Sequence, residues 1–277
     1  LEIETSRERH GPTRCKGSST PWRSRLAALS RNAVASRARR LDQDAPACQV
    51  QTHGEEICLY VLIGEIEVAD VSYDDVVGGS YGRFGGRRTI TEPGVAVLRL
   101  PAGRPSTFDV HLCDFSADIL IASVPGLASD TAPVSHSHDI WAHQVGEGTH
   151  QREVREVPTP AGYAIHTGET LNIAGGWSSW PSHATPEEVA RYAEHQEVFW
   201  ISTPGYGLMR LDGKYSTGAK AEGIIEVHNN DAIVTPLGSH EIVFSPGAWG
   251  FYAWFYTSFL QKTYNKWAHE NVRTYVK

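Results

Sequence analysis

His183, Glu197 and His240 are the residues of this chain whose types and spacing could do chemistry. Two imidazoles and a carboxylate offer the nitrogen and oxygen donors that a divalent transition metal takes, and three protein ligands leave an open position for catalysis. His183 follows the segment Trp-Ser-Ser-Trp-Pro-Ser, Glu197 opens the strand of Val198 and Trp200, and His240 comes after the turn Pro-Leu-Gly. An inward-facing Glu197 carries a charge that is expensive to bury without a partner. The alternatives are structural: His183 as a satisfied histidine at a barrel mouth, His240 as the cap of a turn.

Such ligands must come from neighbouring strands whose ladder holds them in place. The sequence supplies those strands. "EICLYVLIGEIEVAD" is a hydrophobic run, a turn at Gly64, then alternation. "VAVLRLPAGRPSTFDVH" turns at 101–103, and "ADILIASVPG" ends the block. Strand and turn patterns recur in "HQEVFWISTPGYGLMRLDG" and "DAIVTPLGSHEIVFSPGAWGFYAWFYTS". "AVLRLPAGRPSTF" and "AIVTPLGSHEIVF" form a weak internal repeat. The expectation is an all-β protein of two barrel domains. A basic N-terminal segment covers 1–48, read as an arm or a surface helix. The first barrel covers 49–126 and is expected to be metal-free, with Thr107 and Phe108 where a ligand would be needed. A linker follows at 127–162, and the second barrel, with the metal site, covers 163–277. "TPEEVARYAEH" (185–195) reads as a short helical insertion in the second barrel, with Thr185 as N-cap and Glu188 completing a capping box.

The 277 residues carry a net charge of −7, which favours neither nucleic acid nor an anionic membrane as partner. Residues 1–40 hold ten Lys/Arg against three Asp/Glu, and the remainder fifteen against twenty-nine, so an anionic substrate needs a local cation. No apolar run approaches the ~18 residues of a membrane span. Cys15, Cys48, Cys58 and Cys113 form no CxxC motif, which points to reduced thiols in a cytoplasmic protein. His136 and His138 are spaced as a ligand pair, but in the expected linker they read as a solvated loop. His150 and His166 flank the entry to the second domain without further support.

A Gly-rich lead into His-x-His, a later Glu and a Pro-x-Gly-x-x-His form the cupin metal signature. The chain resembles the 5-deoxy-glucuronate isomerase family of inositol catabolism, related to the uronate ketol-isomerases. The resemblance runs through "VGEGTHQREVREV", "GETLNIAGGWSSWPSH", "QEVFWISTPGYGLMRL", "NNDAIVTPLGSHEIV" and "KWAHE". It implies a bicupin, a divalent metal (zinc, manganese or iron) and a six-carbon deoxy-uronic acid as substrate; a homo-oligomer stays open. Arg210, matching a family arginine, is the expected partner of the substrate carboxylate.

Two departures stand out. The family's His-x-His becomes His183–Ala184–Thr185, and an un-ionised threonine is a poor ligand, so the metal is expected to bind weakly. His195 fills the gap if strand geometry already holds there, since it would share a face with Glu197; otherwise it ends the helix. The second departure is Trp254, where the family has a small polar residue; facing inward, it would narrow the pocket. Glu169, Lys214, Tyr206 and Tyr252 are acid–base candidates that the sequence does not rank. Three functions follow: a metal-dependent sugar-acid isomerase, the same scaffold with a changed substrate, or a non-catalytic sugar-binding cupin.

Overall fold

The computed structural model describes residues 35–70, 80–92, 94–103, 105–124, 134–136, 141–184, 197–214, 220–235, 239–257 and 267–268. Among the described residues the first half holds β1 (Ala35–Asp42), β2 (Ala47–His53), β3 (Glu56–Ile63), β4 (Glu65–Asp70), β5 (Ser80–Gly85), β6 (Ala96–Leu100), β7 (Pro105–Leu112), β8 (Ser116–Val124) and β9 (Val134–His136). The second half opens with β10 (Trp141–Val145), β11 (Arg152–Val157), β12 (Ile165–Asn172) and β13 (Trp177–Ala184). It continues with β14 (Glu197–Ser202), β15 (Tyr206–Lys214), β16 (Lys220–His228), β17 (Ala232–Thr235), β18 (Ser239–Phe244), β19 (Gly250–Thr257) and β20 (Trp267–Ala268). The expected helix at 185–195 lies outside the described residues. No helix among the described residues is long and apolar enough to cross a membrane.

The two halves share one topology. The first pairs sheets ordered β1-β8-β3-β6-β9 and β2-β7-β4-β5, the second β10-β11-β12-β19-β14-β17 and β16-β15-β18-β13-β20. Strand for strand, β1-β8-β3-β6 corresponds to β12-β19-β14-β17 and β2-β7-β4-β5 to β13-β18-β15-β16. The repeat seen in the sequence is therefore β6–turn–β7 against β17–turn–β18.

Sequence pattern and layer agree. In β3, Glu56 to Leu62 are all buried, because this sheet packs on both faces. Ile57, Leu59 and Val61 fill the first barrel with Ile66, Val68, Phe108 and Val110 of the facing sheet. Cys58, Tyr60 and Leu62 point the other way, against Val157, Ile165, Val198, Phe251, Ala253 and Phe255 of the second half. By contrast β2 has one face in water, and its burial alternates.

Two expected boundaries move. The basic segment does not end as an arm: Ala35–Asp42 is an edge strand paired along its length with β8, and Leu41 enters the first core. Its exposed Arg39 and Arg40 leave a charged edge, which discourages pairing with another chain. The expected linker 127–162 carries β9, which extends the first half's sheet, and β10 and β11, which extend the second half's. Arg152 and Arg155 of this stretch are both buried. Cys48, Cys58 and Cys113 are free thiols, and Cys15 lies outside the described residues.

A buried ionic cluster ties the halves together. The Glu169 carboxylate on β12 receives Arg87 Nη1 at 2.7 Å and Nη2 at 2.9 Å, Arg155 Nη1 at 2.6 Å and the Tyr60 hydroxyl at 2.7 Å. Arg155 also donates to the carbonyls of Glu92 and Thr91, and Arg87 to that of Leu62. Removing one partner of such a group leaves charge buried and unpaired. Glu169→Ala is expected to cost about 3–5 kcal/mol in denaturant unfolding. A loss below about 1 kcal/mol would mean that the cluster adds nothing to the joint.

Candidate functional site

The interior of the second barrel carries a polar row at one end. Glu197 stands directly across from Tyr256, and Tyr256 across from His166, so side chains from β14, β19 and β12 share one face. Thr235 of β17 closes the row beside Glu197. From the facing sheet, His240 on β18 brings its Nε2 to 3.7 Å from Glu197 Oε2, with both residues buried. The β13–β18 register sets His183 opposite His240. Beneath the row lies an aromatic floor. The Phe199 ring is 5.0 Å from the His240 ring and 5.4 Å from Tyr252, which shares a 2.6 Å hydrogen bond with Ser178.

Trp254 faces inward, as its position on β19 demands: Tyr252, Trp254 and Tyr256 point into the barrel, while Phe251, Ala253 and Phe255 pack between the halves. Its indole occupies the space above Gly168, its cross-strand partner, where a Cβ would collide with the ring and with the carbonyl of Arg155. Tyr256 lies nearly parallel to Trp254 (5.7 Å, 19°) and flat against His166 (4.9 Å, 2°).

Of the residues expected from sequence, Glu197 and His240 come together, and His183 joins them by backbone register. Thr185 and His195 lie outside the described residues. The Arg210 side chain does not face the barrel interior. Met209 and Leu211 take the inward positions of β15, so Arg210 points outward, half exposed, with Nη1 3.1 Å from Glu241 Oε1. A one-residue difference along a strand reverses the face, and the expected carboxylate partner falls on the wrong side. Among the acid–base candidates, Glu169 is consumed by the ionic cluster, Tyr206 is exposed, and Tyr252 lies in the floor. The side chain of Lys214 and residue His138 lie outside the described residues, as does the side chain of His136. His150 serves a short 3-10 turn (Gly148–His150), accepting the backbone N–H of Glu147 at Nε2. Tyr256 is what sequence reasoning missed, and His166, left there without support, joins it through register. The period-two run Tyr252, Trp254, Tyr256 was the available signal for the first.

The donors fit a metal of the expected kind. A carboxylate oxygen and an imidazole nitrogen 3.7 Å apart can both lie about 2.1 Å from one ion. Among the described residues no cluster of three such groups forms, so a third donor would be a side chain outside those described. The interior of the first barrel is lined by apolar side chains.

A family model described as the KduI/IolB family matches residues 23–273. A 5-deoxy-glucuronate isomerase of Geobacillus kaustophilus (strain HTA426) is 24% identical over 151 residues, 52% of this chain and 54% of that protein, so the match spans about half of the relative's length. An IolB-like protein from Salmonella typhimurium LT2 superposes with a TM-score of 0.74 at 20% identity, over 90% of this chain and 92% of that one. The oxalate decarboxylase of Lactobacillus farciminis, solved as a formate complex, gives 0.60 at 11% identity over 90% and 83%. At these identities the structures establish the fold, which is the two-barrel cupin architecture.

Burial, reinforced by the charge of Arg99, lowers the His166 pKa from its ordinary 6.5 to about 4. Burial, and then the negative charge of Glu197, raises that of the Tyr256 hydroxyl, which keeps its proton. Below pH 6.5 the unfolded chain takes up a proton at His166 that the folded protein refuses, so stability falls as pH drops from 6.5 towards 4. Between pH 7 and 4.5 this amounts to about 2–3 kcal/mol. His166→Gln is expected to remove that part of the acid sensitivity in denaturant titrations at the two pH values. An imidazole titrating near 6.5 by NMR would contradict it.

Proposed function

The chain belongs to the KduI/IolB family, and from that premise we propose that it is a sugar isomerase, interconverting the aldose and ketose forms of a deoxy-uronic acid as a 5-deoxy-glucuronate isomerase does, with a place in inositol catabolism. The observation that carries the proposal is the meeting of Glu197 and His240 inside one barrel, while the duplicate barrel is filled with apolar side chains. Glu197, His240 and His183 would hold a divalent metal (zinc, manganese or iron), with His195 in the position that Thr185 leaves vacant. When bound, the metal supplies a Lewis acid that polarises the sugar carbonyl.

The chain's own residues do the rest. Isomerisation moves a proton between adjacent carbons through an enediol-like state, so negative charge gathers on oxygen in a site that must keep water out. Phe199 and Trp254 form the dry floor, and the Tyr252–Ser178 hydrogen bond fixes that floor to the facing sheet. Elemental analysis of protein purified without a polyhistidine tag, paired with turnover of uronic acids, tests the proposal. Metal is expected in the wild type. Glu197→Ala, His240→Ala and His195→Ala should each weaken its retention about tenfold or more, whereas Thr185→Ala leaves it in place. Full isomerase activity in metal-free protein would defeat the metal assignment, and a wild type inert towards uronic acids would defeat the isomerase.

A second reading keeps the chemistry and changes the substrate. Trp254 supports it, because the inward indole takes up barrel volume beside the polar row. Trp254→Ser is then expected to raise kcat/KM for a six-carbon uronic acid relative to a shorter one by about tenfold or more. An unchanged ratio would leave Trp254 without a role in selection.

A further inference from the structure

We propose that Tyr256 is a catalytic residue of this barrel: its phenol donates a hydrogen bond to the substrate oxygen that gains charge as the carbonyl becomes an enediolate. The assignment rests on the isomerase reading and adds to it the group that stabilises the developing anion from the protein side. Tyr256 is buried, faces the barrel interior, and is the direct cross-strand partner of Glu197, whose carboxylate lies against His240. The tyrosine therefore belongs to the same polar row as Glu197.

The ring is also built to stay in place. His166 lies flat against it at 4.9 Å and Trp254 runs nearly parallel at 5.7 Å. His166 is itself held. Its Nδ1 lies 3.2 Å from Thr159 Oγ1, and the strand start beneath it is gripped by Glu56, which accepts the N–H groups of Ala164 at 2.6 Å and Ile165 at 2.8 Å. A donor held rigidly where charge develops costs no reorganisation in the transition state. The phenol keeps its proton throughout, so no acid or base is consumed. His166 is the positioning residue, acting through the ring.

Tyr256→Phe removes the donor and keeps the ring. With the uronic acid that the wild type turns over, kcat is expected to fall about 100-fold or more, with KM within about threefold and both metal content and Tm unchanged. An aldonohydroxamate, a planar mimic of the enediolate, should bind the variant at least tenfold more weakly by calorimetry. For His166 the test is rescue: His166→Ala lowers kcat, and His166→Phe, which restores a flat ring, returns most of it. A Tyr256→Phe enzyme with kcat within about threefold of wild type, or with equal affinity for the hydroxamate, overturns the assignment and leaves the isomerase standing. A wild type that neither turns over uronic acids nor binds the hydroxamate overturns both.

Discussion

The central strands of two sheets, buried on both faces and stacked back to back between the halves, set the terms for everything else. A strand in such a layer has no wet side on which to put its polar groups, so each must find a partner within the protein. Glu169 meets that demand with two arginines and the Tyr60 hydroxyl, drawn from both halves of the chain. Glu56 meets it with two backbone N–H groups of the opposite half, and Arg99 meets it at Nη1 alone, by donating to the carbonyl of Ile165. These contacts have direction, which apolar burial lacks. The apolar side chains hold the halves together, and the polar ones fix where each strand lies along its neighbour.

The duplicated topology makes the contrast between the barrels informative. With the same strand order and the same packing, the first barrel fills its interior with Leu, Ile, Val and Phe, whereas the second places Glu197, His166, Tyr256 and His240 at one end of its own. The barrels therefore differ in which residues occupy the inward positions and not in the scaffold. Burying a carboxylate among aromatic rings destabilises a fold, and a barrel with no use for it would be expected to carry another aliphatic residue there.

Much of the architecture was legible in the sequence because burial leaves a signature in one dimension. Continuous runs such as Glu56–Ile63 mark strands covered on both faces, and alternation as in Ala47–His53 marks strands covered on one. The strand–turn–strand repeat was legible for the same reason. Charged residues misled. The stretch with Arg152 and Arg155 was placed in a linker, and Arg210 was read as the partner of a substrate carboxylate, because the partner of a buried or paired charge is not visible along the chain. That partner lies across strands: Arg155 finds Glu169 fourteen residues away, Arg210 finds Glu241 thirty-one residues away. Of the site, Glu197 was recognisable from its place on a strand and His240 from its turn, but Tyr256 and His166 became candidates only through register, which no spacing along the chain reveals.

The same register joins the interface to the site. On β12 and β19, Glu169 pairs with Ala253, and the next rung pairs Gly168 with Trp254. The ionic cluster thus lies on one face of a pair of strands and the indole of the barrel floor on the other, a single residue apart. Ala253 is small enough to leave room for the clustered side chains, and Gly168 small enough to leave room for the indole, so each face is shaped by a reduced side chain on the opposite strand. A change that shifts β12 against β19 at the interface therefore moves the floor and, two residues on, the row of His166 and Tyr256. The joint between the halves is in this sense part of the site: it fixes the strand from which the aromatic stack and the polar row both hang.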